Sequence, residues 1–177
     1  MGTPQKDGSV TVPRPRAFPE GSLPVAEALV GFLQFVQTTA VNKVAGLTEQ
    51  EARIAPVPTS PALSPLGLIK HLTAVLRQHI QIHIAGSDLP PLWRTDDHDF
   101  EFRIGPNDTV ASVIAAFDEE CARSRQTLAT VDLEADILTY GSPNRVGRLV
   151  VDVLQESARH LGHLDIVREL IDGSKGE

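Results

Sequence analysis

The chain has 177 residues, a formal net charge of -7, and hydrophobic and charged fractions of 41% and 22%. These fractions are typical of a globular protein, and the length is sufficient for one domain with its own core. The negative charge disfavours nucleic acid and anionic lipid as partners, because binding to either depends on Lys and Arg. No apolar stretch reaches the roughly 18 residues of a membrane span, so no membrane association is expected.

Cysteine content and the start of the chain bear on location. Cys121 is the only cysteine, which excludes an internal disulfide, and the opening residues MGTPQKDGSVTVPRPR contain no apolar run typical of a signal peptide. We therefore expect a cytoplasmic protein. Residues 1–22 are rich in Pro, Gly and charged side chains and predict a flexible N-terminal arm. Residues 23–177 are predicted to form the folded domain.

Four amphipathic helices are predicted from apolar residues that recur at spacings of three or four. No segment except the short stretch DFEFRI alternates with a period of two, so a sheet core is not expected. The loop between the second and third helices is long enough to be ordered, and we expect it to lie across one end of the molecule. The pattern predicts an all-α protein, an antiparallel four-helix bundle. The helices are predicted at residues 23–45, 65–85, 108–131 and 144–172, and the loop at residues 86–107.

Cap and stop residues mark the ends of these helices. A side chain with an oxygen acceptor caps free amides at an N-terminus, and glycine accommodates the left-handed residue that follows a C-terminus. The predicted N-caps are Ser64, Asp108 and Asn144, and the predicted stops are Gly46 and Gly173.

Polar residues interrupt the apolar stripes of the second and fourth helices. His71 falls on the stripe of the second helix, and Glu156, His160 and His163 fall on that of the fourth. Glu156 and His160 are four residues apart, so both side chains project from one helical face. An inward carboxylate needs a compensating cation, because burying its charge alone costs several kcal/mol.

A divalent metal bound by His71, Glu156 and His160 would satisfy all three groups. Two nitrogens and one carboxylate oxygen suit zinc and also admit nickel, iron or manganese. The alternative is a hydrogen-bonded core histidine beside an ordinary helical Glu–His pair, and spacing alone leaves both interpretations open.

Other candidate groups receive plainer interpretations. His79 and His83 are four apart and could hold a second metal, but no acidic partner is evident, which favours a partly solvated face. The acidic run at residues 96–99 is interpreted as a solvated loop. Cys121 lies on the apolar stripe of the third helix and is interpreted as a core residue, since burial opposes thiolate formation.

Three stretches resemble the DinB-like helical superfamily: SPLGLIKHLTAVLRQH, GPNDTVASVIAAFDEECARSR and QESARHLGHLDIVRELIDG. The resemblance spans roughly residues 24–173 and is closest to the actinobacterial branch that includes mycothiol transferases. It implies a bundle with an up-down-down-up path and a metal held at His71, Glu156 and His160. Many members carry three histidines at these positions, whereas this chain has Glu156 at the middle one, as mycothiol-dependent maleylpyruvate isomerase also does. This difference leaves the identity of the metal open.

The resemblance implies a metal-dependent S-transferase that joins a low-molecular-weight thiol such as mycothiol to a small electrophile. His163, one turn beyond His160, is expected to be catalytic, as a proton shuttle or as support for a metal ligand. Two alternatives stay open: a hydrolase using metal-bound hydroxide, and a non-catalytic, stress-related metal-binding protein. A homodimer is compatible with a bundle, but no surplus apolar stripe predicts one.

Overall fold

The computed structural model describes residues 12–176, and this part of the chain is mostly helical. None of its helices has the length and hydrophobicity of a membrane-spanning segment. A two-stranded antiparallel hairpin, β1 (Asp136–Thr139) and β2 (Ser142–Arg145), precedes the last helix. The four long helices are α1 (Val25–Val44), α2 (Pro65–Leu76), α3 (Val110–Leu128) and α4 (Val146–Asp172).

The helices pack in pairs around one hydrophobic core. α1 packs mainly against α4, and α2 packs against both α3 and α4. Each helix contributes buried side chains to this core, among them Leu33, Leu72, Phe117 and Val153. Complete burial of a side chain of this kind contributes roughly 1.5–3 kcal/mol. The same packing makes α2 and α4, which carry the predicted site residues, direct neighbours.

The second predicted helix changes its winding after Leu76. The chain continues to Ile84 as a π-helical segment (Arg77–Ile84), in which amides bond carbonyls five residues back. Leu76, Ile80 and Ile84 all pack into the core at a spacing of four. A π-helix has more residues per turn than the 3.6 of an α-helix. Residues spaced four apart therefore lie closer to a single face of the helix. The helical extent agrees with the prediction, whereas the winding differs.

Three of the predicted helix ends are confirmed. Ser64 Oγ accepts a hydrogen bond from the Gly67 amide at 3.1 Å, and so caps α2. Gly46 and Gly173 follow α1 and α4 with φ of 81° and 78°, the left-handed conformation that favours glycine.

The predicted cap of α3 at Asp108 is wrong. Thr109 caps this helix, since its Oγ1 accepts from the Ser112 amide at 3.0 Å. The Asp108 carboxylate accepts instead from the Gly105 amide and from Lys70 Nζ, each at 2.7 Å. The Asp108 side chain therefore contacts α2 and does not provide the cap of α3 that the local sequence predicts.

The predicted cap of α4 at Asn144 is also wrong, because Asn144 lies in β2. Its side-chain amide donates to Thr139 Oγ1 at 3.2 Å, and α4 begins after Arg145 without a side-chain cap. The hairpin itself was not predicted. Its two turn residues, Tyr140 and Gly141, have φ of 50° and 76°, as a tight hairpin turn requires.

The described part of the predicted N-terminal arm lies against α1 and α3. The Arg14 amide donates to Asn42 Oδ1 at 2.7 Å, and the Arg14 guanidinium donates twice to Asp118, at 2.6 and 2.7 Å. Phe18 stacks on Phe35 with ring centroids 4.2 Å apart. The flexibility of the arm and its boundary with the domain stay predictions, and its first eleven residues lie outside the described part.

Candidate metal centre

His71, Glu156 and His160 meet between α2 and α4. One ligand atom from each lies within 4.8 Å of the other two. Glu156 Oε2 is 3.4 Å from His160 Nε2 and 3.8 Å from His71 Nε2. The structure thus brings the three predicted side chains together, and their role as metal ligands stays a prediction.

Helical periodicity explains why these side chains converge. Glu156 and His160 are one turn apart on α4, and the apolar residues on either side of them along the same face, Val153 and Leu164, are fully buried. His160 and His71 are themselves buried, each 8% exposed. The two imidazoles therefore occupy positions within the core, where a partner is required.

A segment of the long loop covers His71. The loop forms a 3-10 turn, Phe100–Phe102, which packs on α2; the DFEFRI stretch is therefore not a strand. The Phe102 ring stacks on His71 with centroids 4.3 Å apart and an interplanar angle of 8°. Glu101 Oε1 lies 3.4 Å from His71 Nδ1, without the alignment of a hydrogen bond, so neither His71 nitrogen has a hydrogen-bond partner among the described residues.

Both imidazoles of the centre are held in the neutral form. Burial, reinforced by the neighbouring His160, lowers the pKa of His71 to about 3. Burial also lowers the pKa of His160, although the Glu156 carboxylate acts in the opposite direction. Neutral imidazole is the state in which histidine binds a metal.

Glu156 supplies the negative charge of the centre. Its side chain is 33% exposed, and in the better-satisfied amide orientation Gln155 donates to Glu156 Oε1 at 3.1 Å. Among residues 12–176, only His71 and His160 lie within ion-pair distance of this carboxylate. The carboxylate oxygen and the unprotonated imidazole nitrogens are all electron-pair donors that face one another. A cation bound between them would satisfy all three. The donor set therefore fits a divalent metal.

His163 lies beside the centre on the far side of His160. Its Nδ1 is 3.2 Å from His160 Nδ1, and the two ring centroids are 5.1 Å apart. His163 is half-buried. The structure thus places the predicted catalytic histidine against a candidate ligand, and its role in catalysis stays a prediction.

His79 and His83 do not form a second metal cluster. Their ring centroids are 6.1 Å apart, His83 Nε2 contacts Gln78 Nε2 at 3.0 Å, and His79 packs edge-on against Trp93 at 5.8 Å. Within the described residues, the triad of α2 and α4 is the one group with metal-binding spacing.

The acidic loop and the cysteine have structural roles. Asp96 pairs with Arg94, and Asp97 pairs with Arg103, at the protein surface. Cys121 is buried in the core, and burial raises the pKa of its thiol. Neither group lies in the candidate centre.

A cavity of about 520 Å³ lies between α2, α3 and the long loop. Its lining is mixed, with Phe100, Ile104 and Val113 as apolar walls and Lys70 and Glu101 as polar ones. Glu101 therefore borders this cavity and also contacts His71. The sequence offered no signal for Glu101, because no periodicity constrains a side chain in a loop.

Sequence reasoning also missed a buried ion network on α3. Glu120 is 0% exposed, and its Oε1 accepts from Arg77 Nε at 2.6 Å and from an Arg123 terminal nitrogen at 2.8 Å. Arg77 is the first residue of the π-helical segment. The position of Glu120, three residues after the core residue Phe117, was an available signal that it faces inward.

Comparison with known proteins gives one family. The profile of a family described as mycothiol-S-transferase matches residues 28–173, which is most of the chain. Searches of curated proteins and of solved structures gave no match.

Proposed function

Because the chain belongs to the mycothiol-S-transferase family, we propose that it transfers a mycothiol-type thiol to a small electrophile in a metal-dependent reaction. The observation that carries this proposal is the cluster of His71, Glu156 and His160, whose ligand atoms lie within 4.8 Å of one another. The thiol and the electrophile are the substrates, and no nucleic acid or membrane partner is invoked.

We propose that these three side chains hold the metal, and that zinc is the native ion. Zinc accepts imidazole nitrogen and carboxylate oxygen, and nickel, iron and manganese accept the same set. When bound, such a metal supplies a coordination position for the thiol and lowers its pKa, so that the thiolate forms near neutral pH. The Glu156 carboxylate, which carries the negative charge of the set, decreases the net charge of the loaded site.

The residues around the triad then serve orientation and proton transfer. We propose that His163 supports His160 through the 3.2 Å contact between their Nδ1 atoms. The alternative role for His163 is proton transfer: when it is not engaged with His160, this half-buried side chain has access to solvent and is suited to receive the thiol proton. Phe102, stacked on His71, limits water on that side of the centre.

Family membership also supports the finer architectural predictions. We propose that α1 to α4 follow the up-down-down-up path of an antiparallel bundle and that residues 23–177 form the domain. We further propose a cytoplasmic location, where a thiol co-substrate stays reduced. A homodimer is retained as a hypothesis that gel filtration would test.

The first experiment measures metal and activity together. The untagged protein is purified, its metal content is determined by elemental mass spectrometry, and thiol transfer from mycothiol to a chloronitrobenzene is followed by absorbance. We expect about one ion per chain, as three ligands around one centre imply. His71→Ala and His160→Ala are expected to lose both metal and activity. His98→Ala, which alters an exposed loop histidine outside the triad, serves as the matched control.

Three outcomes would contradict the proposal. Turnover of an ester without thiol would favour the hydrolase, in which metal-bound hydroxide attacks the substrate. Metal binding without turnover of any electrophile in a panel would favour the non-catalytic alternative. A parent protein that refuses added zinc, nickel, iron and manganese would leave the triad as a polar core.

A further inference from the structure

We propose that Glu101 is a positioning residue that fixes the tautomer and the ring orientation of His71 for metal binding. The role of His71 as a ligand rests on the proposed function, whereas the contact between Glu101 and His71 does not. Glu101 belongs to the loop rather than to the helices that carry the triad, so the proposal adds a third structural element to the centre.

The two nitrogens of His71 face different partners. Nε2 is directed to the Glu156 carboxylate at 3.8 Å, and Nδ1 lies 3.4 Å from Glu101 Oε1. The side chains of His71 and Glu101 are both only 11% exposed, so water competes little for this contact. A neutral imidazole carries its proton on one nitrogen, and a carboxylate beside Nδ1 favours the proton there. Nε2 is then left with its lone pair free for the centre.

Glu101 Oε1 lies 3.4 Å from His71 Nδ1 and is not aligned with it as a hydrogen bond. A carboxylate at this distance in a poorly solvated position still attracts the N–H electrostatically, so it favours the proton on the nearer nitrogen. Metal-binding histidines commonly donate their second N–H to a carboxylate, which sets the tautomer and increases ligand basicity. Glu101 is the carboxylate in position to accept that bond.

The loop is fastened so that Glu101 stays beside His71. Lys70, the residue before His71 on α2, donates to the Arg103 carbonyl and forms an ion pair with Asp108 at 2.7 Å. Phe102, next to Glu101, stacks on the same imidazole. The ring is thus held from its face and from its Nδ1 edge by consecutive residues of one 3-10 turn.

The decisive experiment reads the tautomer of His71 in metal-free protein. Long-range ¹H–¹⁵N spectra separate a protonated ring nitrogen from an unprotonated one, and the His71 signals are assigned by their loss in His71→Gln. In the parent we expect a protonated Nδ1 and an unprotonated Nε2. In Glu101→Ala we expect a mixture of tautomers, because the acceptor is gone. Asp99→Asn, which removes an exposed acid from the same loop, is expected to match the parent.

Zinc affinity, measured by competition with a chromophoric chelator, gives the second readout. Removing an outer partner of a ligand histidine weakens metal binding by about 10- to 100-fold, and we expect this loss for Glu101→Ala. Glu101→Gln keeps the size and one acceptor oxygen of the side chain, so it is expected to fall between the parent and Glu101→Ala. Glu101→Gln also preserves the test if Glu101→Ala fails to fold.

Two results would overturn the proposal. If the Glu101 variants retain the parental tautomer and zinc affinity, Glu101 has no influence on His71. If Glu101→Ala abolishes binding as completely as His71→Ala, Glu101 is a metal ligand rather than a positioning residue. A parent that binds no zinc would refute the proposed function, while the metal-free spectra would still decide whether Glu101 sets the tautomer.

Discussion

His71 is an ionisable side chain that the fold keeps neutral. It is 8% exposed, and burial lowers its pKa from 6.5 to about 3. Burial also lowers the pKa values of His160 and His79. These histidines gain a proton more easily in the unfolded chain than in the folded one, and this difference makes stability depend on pH.

Metal-free protein should therefore lose stability as the pH falls from about 6.5 towards 3. Above that range neither state holds the extra proton; within it the unfolded state binds the proton first, which lowers the free energy of unfolding by on the order of a few kcal/mol. Urea titrations at several pH values would measure this slope. His71→Gln should flatten it, whereas the exposed-site variant His98→Gln should not. Equal slopes for parent and His71→Gln would contradict the prediction.

The convergence of His71, Glu156 and His160 was predictable because helical periodicity assigns a face to each position. A polar residue within an apolar stripe then signals an inward group that needs a partner. Glu101 could not be found this way, since its contact with His71 depends on the path of a loop. Periodicity gives no direct measure of the distance between two helices, so it could not show that the three side chains meet. The structure brings them together, and their binding of a metal stays a proposal.

At the scale of elements, the junction of α2 and the π-helical segment is tied to α3 by charge. Glu120 is completely buried and accepts from Arg77 and Arg123. Removing one partner of a buried pair leaves the other charge uncompensated, which is more damaging than the net contribution of the intact pair. Glu119, its neighbour in sequence, pairs with the same Arg123 at 2.9 Å but is 68% exposed.

Glu120→Ala should lower the free energy of unfolding by about 3 kcal/mol, because Arg77 would lose its buried counter-charge. Glu119→Ala removes an equal charge from the same helix and should lower it by less than about 1 kcal/mol, as solvent screens an exposed pair. Urea unfolding followed by circular dichroism compares the two. Similar losses for both variants would show that burial of the network does not matter.

The extents of the helices were largely predictable, and so were three of the five predicted end residues. Apolar spacing located all four, and glycine and serine signals located three ends, because these depend on local geometry. Asp108 was assigned as a cap but instead binds Lys70 on α2, a partner 38 residues away that local sequence cannot reveal. The hairpin was missed because Pro143 occupies one of its short strands, and proline weakens the strand signal.

At the scale of the whole molecule, the candidate centre joins α2 to α4. These two helices already pack against each other, so an ion bound by side chains from both would be a cross-link. A ligand that binds only the folded state stabilises it in proportion to the logarithm of its concentration. The unfolded chain separates His71 from Glu156 by 85 residues and has no formed site.

Zinc should raise the midpoint of thermal unfolding, and a chelator should reverse the shift. At a free zinc concentration 100 times the dissociation constant, the gain is about 2.7 kcal/mol. Differential scanning calorimetry with and without zinc would measure it. His71→Ala should show no zinc-dependent shift, while His98→Ala should respond like the parent. A stabilisation of the same size in His71→Ala would place the ion elsewhere.

The helical class followed from periodicity, while the proposed activity came from a resemblance. Spacing alone predicted a ligand set that suits several chemistries, and only the similarity to thiol transferases, now supported by the family match over residues 28–173, connected it to sulfur. A substrate is recognised by a cavity whose walls come from separate elements, and the spacing of residues along one helix does not specify such a cavity.

For the proposed thiol transfer, the burial of Cys121 bears on whether the substrates would modify the protein itself. An accessible thiolate would be alkylated by the electrophile, or would attack the disulfide form of the co-substrate and release one thiol as the mixed disulfide forms. Cys121 is the only cysteine of the chain, is 4% exposed, and has a pKa raised by burial. The folded protein thus presents no accessible thiol of its own that would compete with a thiol substrate, and alkylation of Cys121 would require unfolding first.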